Sequence, residues 1–307
     1  MSKVVPSKRG PYRNPWIPTN PPSFRLQERD RELIEIVFQL RYATSDQIAD
    51  LYLLEHADKG HSRNGVKYRL YVLFHGGYLS RPKEARILML FAGKGLPYIY
   101  GIGQKSYSLL RQKGYDEEQI KAATNEPNYR YLEHALMVSQ FHTNLLKALK
   151  ERSDLQLLFW KNEGAQTRRF WGGGDDRRSV NPDAYFALQD DRGPMYFLAE
   201  MDRGTMSNRR LRLKIKSYLE FWQEKRHWEE PFSIPRGKDF KVLFVAETLQ
   251  RKEVLRAMTK SIAPQGHGSK LFWFSLAAQL SAKSFFDPNW QLADLEGVYP
   301  MLWRGEG

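Results

Sequence analysis

The sequence has no cysteine, which removes disulfides, thiolate metal sites and cysteine nucleophiles and fits a reducing, cytoplasmic compartment. It also has no long apolar run: ILMLFA at 87–92 is among the longest, far short of the ~20 residues that a membrane-spanning helix needs. The first residues show no apolar signal segment, so no membrane partner is expected. A phosphate-binding loop is missing too, because around AGKGLP the required first glycine is Leu88 and the required Ser or Thr is Gly95. Neither metal-ligand spacing nor the His-apolar-His element of a tyrosine relaxase occurs among the seven histidines. ATP hydrolysis and covalent nicking are therefore disfavoured. GGGDD at Gly172 to Asp176 reads as a flexible loop with no catalytic signature. Residues 1–25 lack acids altogether while holding six prolines and five Lys or Arg, a composition that favours extended, solvated backbone.

What is present points to a folded, basic protein. The 307 residues are about twice the ~150-residue domain prior, so two domains are the default. With 41% apolar and 13% aromatic residues, each half can bury a core. Lys and Arg outnumber Asp and Glu by 48 to 35, a net charge of +13. Such an excess suits a polyanion, since neutralising phosphates releases condensed counterions. DNA is the leading partner, and an inert basic surface the alternative.

Hydrophobic spacing predicts the elements. After a basic, Pro-rich arm over 1–27, ERDRELIEIVFQLRYA places Leu33, Ile36, Val37 and Leu40 on one helical stripe. ATSDQIADLYLL follows, with Thr44 or Ser45 as N-cap and Ile48, Leu51 and Leu54 facing inward. HSRNGVKYRLYVLFHGGYL buries Val66, Leu70 and Leu73 and ends at Gly76-Gly77. GYLSRPKE and LPYIYGIG read as a two-stranded ribbon joined by a longer loop, followed by a helix from Gln104 to Lys113. Three helices and a ribbon make a winged helix-turn-helix over 28–115. Its third helix would enter the major groove with Arg63, Asn64, Lys67, Tyr68 and Arg69. Arg and Asn can read base edges bidentately, and Lys supplies phosphate contacts. The alternative is an ordinary solvated helix face, or a winged helix that binds protein.

A polar linker over 116–130 leads to a second domain over 131–285, with 286–307 as a C-terminal tail. YLEHALMVSQFHTNLLKALKER is a long helix with Leu132, Leu136, Leu145, Leu146 and Leu149 among its apolar positions. LQLLFW, PDAYFALQ and PMYFLAEM are strands, NRRLRLKIKSYLEFWQEK a helix, KVLFVAET a strand, KEVLRAMTKSIA a helix and KLFWFSL a strand. This αβββαβαβ order predicts an α+β or α/β mixed sheet flanked by helices.

Acids converge in that domain. If Asp183 at the start of the second strand opposes Glu200 at the end of the third, the centre of the hairpin falls between Asp191 and Arg192, inside the turn-like QDDRGP. Opposed residues share a face with Cβ atoms ~5 Å apart, and Asp202 points to the same side. Clustered carboxylates repel unless a cation offsets them, so Mg²⁺ or Mn²⁺ on Asp183, Glu200 and Asp202 is one expectation. The other is that Asp183 merely follows Pro182 at a strand start and Asp202 opens a turn with Gly204. The next helix brings Arg209, Arg210, Arg212, Lys214 and Lys216. Lys214 and Tyr218, four residues apart, lie on one face and can project over the acids. Lys214 would orient a water or neutralise a phosphate, and Arg209, Arg210 and Arg212 would hold backbone phosphates. Glu133 is a further candidate ligand, or else complements its helix dipole.

LEHAL at 132–136, NPDAYF at 181–186, AEMDRGT at 199–205 and KIKSY at 214–218, in this order and spacing, resemble the replication-relaxation family of plasmid and mobile-element proteins over roughly residues 28–250. That resemblance implies a winged helix followed by a domain similar to PD-(D/E)xK nucleases, of restriction-endonuclease type, acting in replication or DNA relaxation. Under it, Asp183 and Glu200 match the metal-binding acids, while Asp202 stands where those nucleases usually have lysine. Lys214 or Lys216 is the candidate replacement. Two functions follow: a DNA-binding protein with Mg²⁺-dependent phosphodiester hydrolysis by Asp183, Glu200, Asp202, Lys214 and Lys216, or a non-catalytic DNA-binding initiator or adaptor. The partner expected is double-stranded DNA. A homodimer is compatible with the sequence, as are protein partners on the tail through Trp290 and Trp303.

Overall fold

A computed structural model describes residues 24–91, 97–124, 127–162, 167–171, 177–263, 270–293 and 295–304. The chain forms two compact units, Met1–Ala135 and Leu136–Gly307. Most of the Pro-rich arm, AGKGLP but for Pro97, and GGGDD lie outside the described residues.

The first unit contains α1 (Glu28–Leu40), β1 (Ala43–Thr44), α2 (Ser45–Glu55), α3 (Arg63–His75), β2 (Leu79–Ser80), α4 (Lys83–Phe91), β3 (Ile99–Ile102), α5 (Tyr107–Gln112) and α6 (Glu117–Thr124). The three short strands form one antiparallel sheet in the order β1-β3-β2. Local chemistry sets the helix starts. Thr44 caps α2, accepting from the Gln47 amide at 3.2 Å while Gln47 returns a bond to the Thr44 amide at 2.8 Å, a reciprocal box that satisfies two orphan donors. Ser62 caps α3 through the Gly65 amide at 3.0 Å. After α3 the chain reverses at Gly77, whose φ of 79° favours a residue without a side chain.

The core of this unit holds Val66, Leu70 and Leu73 as the spacing predicts. On α1 it takes Leu33, Ile34, Val37, Phe38 and Leu40, leaving Ile36 half-buried, because a globular helix buries a wider stripe than a strict three-four seam. The expected loop between the ribbon strands contains α4, and the expected polar linker contains α6. Acidic residues at the start of α6, Glu117 and Glu118, suit the positive end of its dipole.

A long helix, α7 (Tyr129–Lys150), runs across the division between the units. The second unit continues with β4 (Gln156–Asn162), β5 (Arg168–Trp171), β6 (Arg177–Val180), β7 (Ala184–Asp190), β8 (Gly193–Asp202), α8 (Asn208–Gln223), β9 (Phe240–Ala246), α9 (Leu249–Ile262), β10 (Phe272–Leu276) and β11 (Gln291–Leu292). Six strands form a mixed sheet in the order β11-β10-β9-β8-β7-β4. β8, β9 and β10 are parallel neighbours, and the remaining pairs are antiparallel. The protein is thus α+β, with nine α-helices among its described residues.

Alternation decides what each sheet face meets. Tyr185, Ala187, Tyr196, Leu198, Val242 and Phe244 pack with Leu211, Ile215 and Tyr218 of α8 and Leu255 of α9. Their sequence neighbours Phe186, Leu188, Phe197, Ala199, Leu243 and Val245 pack with Phe141 and Leu145 of α7. Two crossovers stepping in one direction, β8-α8-β9 and β9-α9-β10, put both helices on the same face, as the uniform handedness of such connections requires. The strands are apolar on both sides for that reason.

Described residues of the C-terminal segment 286–307 pack into the second unit. Trp290 is fully buried, and Leu292, Leu295, Tyr299, Met301 and Trp303 pack with it on the α7 face. Lys241 donates to the carbonyls of Met301, at 2.8 Å, and of Trp303. Burial chiefly, with the charges of Arg304 and Arg192 added, pushes its ammonium down to about 7.

Candidate nucleic-acid interface and acid centre

The β7–β8 hairpin has the register that the acids predict. Ala184 pairs with Ala199 and Asp190 with Gly193, so Asp183 lies opposite Glu200, and its amide donates to the Ala199 carbonyl at 3.0 Å. With Tyr185 and Leu198 on the α8 face, alternation puts Asp183, Glu200 and Asp202 there as well. All three are buried, Glu200 to 2% exposure.

Each carboxylate is held by its own chain. Asp183 accepts from the Met201 amide at 2.7 Å. Glu200 accepts the Lys214 ammonium on Oε2 and the Tyr218 hydroxyl on Oε1 at 2.5 Å. The α8 pair four residues apart therefore projects over the acids as its spacing predicts. Asp202 accepts Nε and Nη2 of Arg251 from α9 at 2.7 and 2.9 Å, and the Gly204 amide at 2.6 Å. The Asp202 turn with Gly204, at φ 75°, and the acid cluster are both present.

Burial and charge set the protonation of this centre. Burial first, then the neighbouring Asp183 charge, pushes Glu200 from the ordinary 4.5 up to about 7, against the pull of Lys214 and Tyr218. For Lys214, burial opposes the ammonium, but Glu200, Asp183 and Asp202 outweigh it and hold its pKa above the usual lysine value. Burial, then Glu200, raises the Tyr218 phenol well above its usual range, so it stays a donor.

Lys216 is exposed on the opposite side of α8, so the lysine that reaches the acids is Lys214. Arg209, Arg210 and Arg212 are also exposed. Glu133 is half-buried on α7, within the first unit, whereas the other three acids belong to the second.

The α3 candidates of the first unit divide. Asn64 is exposed, and Tyr68 is 56% exposed and stacked on Tyr71 at 6.4 Å. Arg63 bonds Asp46 at 2.9 Å and also Asp50, and Lys67 reaches Asp46 at 2.6 Å. Lys67, then Arg63, holds the Asp46 carboxyl below the usual range. Arg69 points inward: its Nε and Nη2 donate to the fully buried Asp30 at 2.8 and 2.5 Å. The guanidinium expected at the DNA face is thus occupied inside the fold, since a buried carboxylate must be paired.

A family model described as replication-relaxation matches residues 35–236. The chain belongs to the replication-relaxation family. The match spans both units and includes the whole β7–β8 hairpin and α8. No curated protein and no solved structure gave a significant match. No helix among the described residues is long and apolar enough to cross a membrane.

The nuclease resemblance implies a divalent metal, and the acids of this replication-relaxation protein do not fit one as arranged. A cation centre needs carboxylate oxygens facing a common point. Here Glu200 and Asp202 face cationic side chains, and among the described residues no group of three or more His, Asp or Glu is placed to hold a metal ion.

Proposed function

We propose that the protein is a non-catalytic DNA-binding initiator or adaptor acting in the replication or relaxation of a plasmid or other mobile element. Its second unit engages duplex DNA through the exposed basic face of α8, and the acid centre anchors α8 and α9 to the sheet. The observation that carries this reading is that the charges of Glu200 and Asp202 are matched inside the chain, by Lys214 and Arg251. Arg209, Arg210 and Arg212 remain exposed with no ion pair among the described residues. Cations left exposed side by side repel, and a polyanion relieves that repulsion while releasing counterions. In the first unit, Asn64 and Tyr68 of the winged-helix reading are the groups open to a base edge.

A second reading, metal-dependent phosphodiester hydrolysis, is favoured by one observation. Asp183 and Glu200 oppose each other with a lysine at Glu200, the three residue types of the nuclease resemblance. It requires Lys214 to leave Glu200. Incubating the protein with supercoiled, linear, branched and single-stranded DNA in Mg²⁺ or Mn²⁺ separates the two. The adaptor binds without cutting; cleavage that disappears in Asp183→Ala and Lys214→Ala would establish the hydrolase.

A further inference from the structure

The ribbon of β5 and β6 takes no part in the acid centre. Arg168 pairs with Val180, Arg169 with Ser179, Phe170 with Arg178 and Trp171 with Arg177, and alternation gives the ribbon two faces. One face is fastened to the body of the unit. Phe170 and Val180 enter the core, where Phe170 stacks on Phe221 of α8 at 6.3 Å. Arg178 donates Nε to Glu220 of α8 at 3.1 Å. Arg168 bonds Glu229 and, at 3.1 Å, the Glu230 carbonyl. The other face presents Arg169 and Ser179 to solvent, and Arg169 has no ion pair among the described residues.

The fastening point fixes where the ribbon lies along α8. Glu220 sits on one stripe of α8 with Lys216, Leu213, Arg212 and Arg209, at spacings of three and four residues. From Arg209 to Glu220 the stripe runs about 16 Å at about 1.5 Å per residue. The ribbon therefore begins where the cationic stripe ends.

We propose that the β5–β6 ribbon and the Arg209–Lys216 stripe form one continuous track for the backbone of duplex DNA, with Arg169 and Lys216 contacting phosphates and the Ser179 hydroxyl beside them. This rests on the DNA-binding reading of α8. Phe170 and Arg178 fasten the ribbon to α8, which sets the spacing of the two contacts and lessens the ordering needed on binding.

The test is equilibrium binding of a fluorescent duplex, and of its single strand, over a series of KCl concentrations. Arg169→Ala weakens duplex binding roughly three- to tenfold and lowers the slope of log affinity against log salt by about 0.9, one phosphate contact. Arg169→Lys recovers most of both. Because the chain has no cysteine, Ser179→Cys gives a single thiol, whose maleimide labelling slows when duplex is present. Full duplex affinity and slope in Arg169→Ala, with equal labelling of Ser179→Cys with and without DNA, overturns the ribbon contact. If Arg209→Ala/Arg210→Ala/Arg212→Ala meanwhile loses affinity, the DNA-binding reading survives alone. Loss confined to single-stranded DNA overturns the duplex assignment, and a wild-type protein that binds no DNA overturns both readings.

Discussion

Lys214 on α8 donates its ammonium to Glu200 on β8, whose side chain is only 2% exposed, and Tyr218 one turn later takes the other carboxylate oxygen. Breaking a buried pair by removing one partner leaves an uncompensated group and costs more than the pair contributes. Lys214→Ala is expected to lower unfolding stability by about 2–4 kcal/mol, less than a fully stranded charge because Glu200 can take up a proton. Tyr218→Phe should cost about 1–2 kcal/mol. Glu200→Gln combined with Lys214→Met should recover most of the loss. Chemical denaturation followed by circular dichroism reads all of these.

Arg251 and Asp202, 49 residues apart in sequence, make a two-pronged pair. A double-mutant cycle with Arg251→Ala and Asp202→Asn should give a coupling of about 1–3 kcal/mol. Near-additive losses would mean that α9 is not held to β8 by this pair.

In the first unit, Arg69→Ala leaves the fully buried Asp30 without its cation, with only the Gln27 amide still donating to it at 2.7 Å among the bonds described. It should destabilise the unit by about 3–5 kcal/mol, while Asn64→Ala and Tyr68→Ala, being exposed, shift stability by at most about 0.5 kcal/mol. In DNA-binding measurements below the melting point, Asn64→Ala and Tyr68→Ala should reduce affinity.

Two buried groups titrate with opposite effects. His142 lies stacked on Trp160 with ring centroids 3.9 Å apart, and burial lowers its pKa from 6.5 to about 3. Its contribution to stability is present above pH 6.5 and is lost as pH falls toward 3, by up to about 1.4 kcal/mol per pH unit. Glu200, raised to about 7, contributes below 4.5 and loses that contribution as pH rises through 7. Between 4.5 and 6.5 the two slopes oppose. Unfolding measured across that window should therefore slope downward with pH more steeply in His142→Gln than in the wild type, and less steeply in Glu200→Gln.

Contacts between elements near in sequence were legible, whereas those set by distant partners were not. The hairpin register followed from two acids and a turn, because a two-residue period leaves little freedom once one pair is fixed. Lys214 and Tyr218 followed from helix spacing. The sequence carries no comparable signal that Asp46 and Asp50 of α2 would face Arg63 and Lys67, that Asp30 would turn Arg69 inward, or that Arg251 would take Asp202. The β5–β6 ribbon is obscured by GGGDD, which reads as a loop, although Val180 beyond it sits between the polar Ser179 and Asn181 as a strand residue does. The sequence offers Trp290 with Trp303 as a place for protein partners, because apolar residues near a chain end do not reveal what they pack against; Trp290 fills the core beneath the sheet.

The salt dependence of duplex binding tests the account most directly. Wild-type protein and Arg209→Ala/Arg210→Ala/Arg212→Ala are titrated against the same duplex from low to moderate KCl. The account predicts tight binding that weakens steeply with salt in the wild type, and a slope smaller by about 2.7, three phosphate contacts, in the variant. An unchanged slope, or no binding by the wild type at low salt, would contradict it.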